Sequence, residues 1–146
     1  MKRIDYILSI GLVGSMLAAA QTADTKPAEV QLSAEQIQAM EKRVAQINDP
    51  AAKLFFQANI HRAKGETEEA LKKLAELSVH HAHNKRWITR SELLSAKLYL
   101  ELGMPEQAEV TARQVEFLNQ GTDAAETARL FREELMQKKE QSEGSD

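Results

Sequence analysis

Six glycines and three prolines are spread through 146 residues, and where they stand constrains the fold more than any other feature. Gly65, Gly103 and Gly121 each close a run of apolar residues spaced by three and four, and Pro50 and Pro105 each open one. Glycine takes the left-handed conformation that ends a helix, and proline suits a helix's first position, where its missing N–H is not needed. Breakers so placed punctuate helices. A β-sandwich or barrel would need many more turns and many aromatic or β-branched residues, yet aromatics make up only 5% of the chain. The expectation is an all-α protein of about six helices.

The helices can be placed in turn. Ser33-Ala-Glu-Gln36 is a capping box, followed at helical spacing by Ile37, Met40, Val44 and Ile47. Asp49-Pro50 pairs an N-cap with proline at the first turn and opens a second helix that Gly65 stops. A third begins near Thr67 and dissolves near the histidines at 80 to 83. The fourth starts at about Lys85 with apolar groups on more than one face, as suits a helix packed between neighbours. Pro105 opens the fifth, and Asp123-Ala-Ala-Glu126 is a second capping box opening the last. Loops this short force consecutive helices into antiparallel hairpins, which build either a bundle or a stacked array.

The N-terminus reads as an address. Lys2 and Arg3 precede an apolar stretch from Tyr6 to Leu17, and Ala18-Ala19-Ala20 places small residues before Gln21. This is the layout of a secretory signal peptide over 1–20, cut after Ala20, which implies a periplasmic or secreted protein. An uncleaved membrane anchor is the alternative, helped by the acidic Asp5, although the apolar stretch is short for a span of about 20 residues. Residues 21–32 form a polar linker, 33–138 the helical domain, and 139–146 an apolar-free tail expected to fray. The net charge is −3, and −4 without the leader, so whole-chain charge does not suggest nucleic acid as a partner. With no cysteine, disulfides, thiol nucleophiles and cysteine metal sites are excluded.

Internal repetition favours the stacked array. Ala58, His61, Gly65, Glu68 and Ala70 recur as Ala96, Tyr99, Gly103, Glu106 and Ala108, all at an offset of 38. A small residue lets paired helices approach, a ring fills the gap beyond it, glycine ends the helix, and the next alanine seats the returning helix. The pattern resembles the tetratricopeptide repeat, a 34-residue helical hairpin. The resemblance covers units at about 51–84 and 89–120, with 122–138 as a capping helix. It departs from the family at Leu54 and Glu92, where tryptophan or another large residue is expected, and at Ala82 and Gln120, where proline is.

The resemblance implies a non-catalytic exported interaction module or scaffold that holds a protein or peptide in the concave groove of such a stack. Its lining would include Phe55, Asn59, Arg62, Arg90, Leu93 and Lys97, with Ala52, Ala63, Leu100 and Glu101. Asn59 matches the asparagine of the family's carboxylate clamp, whereas Phe55 and Leu94 replace other clamp residues. Arg62, Arg90 and Lys97 would favour an acidic or C-terminal peptide.

A second reading starts from His80-His81-Ala-His83-Asn-Lys85-Arg86-Trp87-Ile-Thr-Arg90, which has no acid. Such a segment suits an anionic membrane surface or an acidic protein. Glu76, His80 and His83 would share a face if the third helix ran that far, and such a trio can bind zinc. The plainer reading makes Trp87 a plug at the repeat junction. A third reading is a structural subunit that self-associates as a homodimer. No cofactor is expected. The chain has no phosphate loop, nucleophile elbow or His-Glu-x-x-His pair, and Glu68 and Glu69 diverge on a helix, so no catalytic residue is assigned.

Overall fold

In the structure, a computed structural model that describes residues 32–143, the breakers delimit six helices: α1 (Ala34–Ala45), α2 (Pro50–Ala63), α3 (Thr67–His80), α4 (Lys85–Glu101), α5 (Pro105–Leu118) and α6 (Asp123–Glu143). The expected leader, its cut site and the linker up to residue 31 lie outside the described residues. No described helix is long and apolar enough to cross a membrane.

Each start and stop has a local cause. Ser33 Oγ accepts from the Gln36 N–H while Gln36 Oε1 accepts from the Ser33 N–H, closing the capping box on α1. Asp49 Oδ1 accepts from the Ala51 and Ala52 N–H groups at 3.0 and 3.3 Å, so the α2 donors left orphaned at a helix start are satisfied. Gly65 and Gly103 adopt φ of 77° and 72°. Just beyond them the N–H groups of Glu66 and Met104 reach back to the His61 and Tyr99 carbonyls. This is the same Schellman closure built twice, 38 residues apart.

Two boundaries differ from expectation. The cap of α6 is Thr122, whose Oγ1 accepts from the Ala125 N–H, rather than Asp123, because the left-handed turn at Gly121 brings the chain round one residue earlier. The expected tail from 139 is helical as far as Glu143, since its Lys, Gln and Glu residues are good helix formers and no breaker stands before Gly144.

Every helix packs on its chain neighbours, and in addition α2 lies against α4 and α4 against α6. The hairpins α2–α3 and α4–α5 therefore stack, with α1 before them and α6 after. The core repeats with the sequence. Ala58, Ile60, Ala70, Leu74 and Leu77 are buried, and so are Ala96, Leu98, Ala108, Ala112 and Val115. All four repeat alanines are 0% exposed, the close helix approach expected of small residues. Three apolar clusters fill the stack. One joins Ala58, Ala70 and Leu74 to Leu94 and Leu98, another joins Ala51, Ala52 and Leu77 to Trp87, and a third joins Ala96, Ala112, Val115 and Ala128.

Candidate functional site

The expected groove residues sit on the adjoining helices α2 and α4, but their side chains are not all free to receive a ligand. Phe55 and Leu93 are partly buried and pack on the apolar clusters, Phe55 on both clusters of the first junction and Leu93 on the alanine cluster of the second. Asn59 Nδ2 donates to the Phe55 carbonyl of its own helix at 2.9 Å, so the amide that would bind a carboxylate is already engaged. Arg62 crosses to the neighbouring helix, its Nε donating to Glu101 Oε1 at 2.8 Å, and neutralises that acid. The Arg90 guanidinium lies 5.0 Å from the centre of the Trp87 ring, and Lys97 is exposed.

Sequence reasoning kept apart two features that the fold joins. Arg86, Arg90, Lys97 and Glu101 follow one another at intervals of four, seven and four residues, so they form one stripe along α4. The basic part of the histidine-containing segment therefore continues the stripe that holds the expected groove residues of α4. Trp87 is 7% exposed and fills the junction of α2, α3 and α4, its Nε1 donating to Asp49 Oδ2 at 2.9 Å. Arg86 covers the same ring at 5.5 Å. The Phe55 and Phe56 rings meet that of Trp87 at 5.3 and 5.9 Å, and Phe56 remains 36% exposed. The resulting surface has an aromatic edge, two guanidiniums over a tryptophan, and a lysine two turns further on. Such guanidinium–indole contacts contribute about 0.5–1 kcal/mol each at exposed sites.

Phe56 and Arg86, which adjoin this surface, are not among the residues expected from the sequence. Arg86 had a signal, its place one turn before Arg90. Phe56 had none, because neighbouring residues diverge by about 100° on a helix and only the packing register decides which one emerges.

Electrostatics hold the junction in place. Partial burial pushes the Asp49 carboxyl up, but the Trp87 N–H, the Ala52 and Ala51 backbone N–H groups and the charge of His81 together outweigh it and leave it below its ordinary 3.8. Glu92, which stands where the repeat pattern wants a large apolar side chain, is half-buried, and desolvation pushes its carboxyl above the ordinary 4.5.

The zinc alternative required α3 to run on past His80. Because α3 ends at His80, His83 does not continue the face shared by Glu76 and His80. Glu76 is instead paired with Lys73 at 2.9 Å, and the His81 and His83 rings meet edge-on with centres 6.3 Å apart. Among the described residues no three His, Cys, Asp or Glu side chains converge on a metal position. His61, at the repeat's ring position, lies with Nδ1 2.6 Å from Glu66 Oε2.

Comparison of the chain with protein-family models, with curated proteins and with solved structures finds no significant match.

Proposed function

We propose that the protein is a non-catalytic interaction module whose α2–α4 face captures an acidic protein or peptide. The observation that carries this reading is the α4 stripe: Arg86, Arg90 and Lys97 are all exposed, and the acid in line with them, Glu101, is held by Arg62. Cations aligned on one rigid helix, beside an exposed Phe56, offer charge-assisted hydrogen bonds and an apolar contact to an extended segment carrying carboxylates. The leader-like sequence of residues 1–20 supports a periplasmic or secreted location for this activity.

Trp87, the chain's single tryptophan, lies under the two guanidiniums, so its fluorescence should report binding without a label. Peptides alternating Glu with Leu are expected to bind with an affinity that falls steeply with salt and is indifferent to chelator. The variant carrying R86E, R90E and K97E should bind at least tenfold more weakly. Equal binding by that variant, or preference for a basic peptide, would overturn the reading. Capture by anionic vesicles but not by peptides would transfer the same stripe to a membrane surface. Self-association is a second reading, favoured by Val110, Phe117 and Leu118 on α5, which are 55%, 70% and 63% exposed. A concentration-dependent dimer in light scattering that F117E abolishes would establish it.

A further inference from the structure

A separate cleft opens on the other side of α2. Because α1 packs on α2 alone, it leaves part of that helix uncovered next to α3, and the open cleft there has a volume of about 300 Å³. Its apolar lining is Val44 and Ile60, which are 7% and 5% exposed, with Ala45 at the end of α1. Around it stand the amines of Lys53, Lys64 and Lys73 and the imidazole of His61, with Glu41 the sole acid of the lining.

Most of this charge is already matched. Glu41 accepts from Lys64 at 2.7 Å, Glu76 from Lys73 at 2.9 Å, and Glu66 lies 2.6 Å from His61. Lys53 is half-buried and, among the described residues, is the cation of this cleft that no carboxylate holds. An apolar recess beside one unmatched ammonium selects a ligand with an apolar body and a single negative head. A neutral hydrocarbon would leave Lys53 uncompensated, and a small inorganic anion would leave the recess empty. We propose that this cleft binds an aliphatic carboxylate of short to medium length, its head on Lys53 and its chain over Val44 and Ile60. The site is independent of the α2–α4 face, since Lys53, Gln57, Ile60 and Lys64 form a stripe of α2 distinct from that of Phe55, Asn59 and Arg62.

Octanoate, octan-1-ol and acetate titrated into the full chain by calorimetry test this, with backbone amide shifts at Lys53 and Gln57 locating the contact. Octanoate should bind with a dissociation constant of the order of 1 mM or tighter, as a ligand of its size allows. Octan-1-ol and acetate should each bind at least fivefold more weakly. K53Q removes the unmatched charge and should weaken octanoate at least fivefold. A45W fills the cleft from the exposed end of α1 and should abolish binding while leaving the helical circular dichroism unchanged. Octanol binding as well as octanoate, K53Q binding as well as the parent, or no octanoate binding at 10 mM would each overturn the proposal.

Discussion

The two junctions of the stack share one register and close in opposite ways. At the first, α2, α3 and α4 meet over Trp87, Leu77, Leu54 and Phe55. At the second, α4, α5 and α6 meet over Ala96, Ala112, Ala128 and Val115, and Arg132 fastens α6 to Glu116. Positions 38 apart make the contrast explicit: Trp87 against Ala125, Leu74 against Ala112, Leu54 against Glu92. The breakers thus determine where helices begin and end, while side-chain volume at matching positions determines how a junction is filled and what it shows to solvent. The bulky junction brings an aromatic edge and two guanidiniums to the surface. The alanine junction brings helices close and leaves a half-buried carboxyl.

The largest test of this contrast is to shrink one junction and swell the other. W87A should cost about 4 kcal/mol by emptying the first junction, whereas A128L should cost about 2 kcal/mol by overfilling the second. Denaturant titration reads both, and comparable small losses would mean that the junctions do not differ in how they are filled. D49A comes next. It removes the α2 cap and the acceptor of the Trp87 N–H, at about 2 kcal/mol, and D49N should recover the part that belongs to the cap, since its one amide oxygen cannot also accept from the Trp87 N–H. Because the folded carboxyl lies below 3.8, the charge-dependent part of its stabilisation is complete above the unfolded value and is lost as pH falls through the folded one. D49N should therefore flatten the acid limb of the melting profile.

Glu92 gives the smallest effect and the opposite sign. Its carboxyl is raised, so the folded state holds its proton longer than the unfolded chain, and stability declines as pH rises from the ordinary 4.5 through the folded value. E92Q should remove that decline. E92L, which makes the second junction resemble the first, should stabilise by about 1 kcal/mol at neutral pH.

What could be read from the sequence divides along the same line. Helix ends were legible because capping and left-handed glycines act within a few residues: Ser33, Asp49, Gly65 and Gly103 do what their types dictate. The start of α6 shifted by one residue since Thr122 and Asp123 both cap well and the turn at Gly121 chose between them. Which residues share the α2–α4 face was legible, but not which of their groups are already engaged. Spacing puts Arg62 and Asn59 on the right side of α2, yet Arg62 meets Glu101 and Asn59 turns to its own backbone. Those choices depend on the distance between two helices, which no local pattern records.

The placement of α4 has a consequence for cooperativity. It is packed on by α2, α3, α5 and α6, whereas α1 rests on α2 alone. Couplings between neighbours in a line allow opening to begin at either end and travel inward. The helix bearing the cationic stripe is then the last to come apart. Fraying at one terminus spends little of the free energy that orders that surface, so the partner proposed for it would meet a surface already organised.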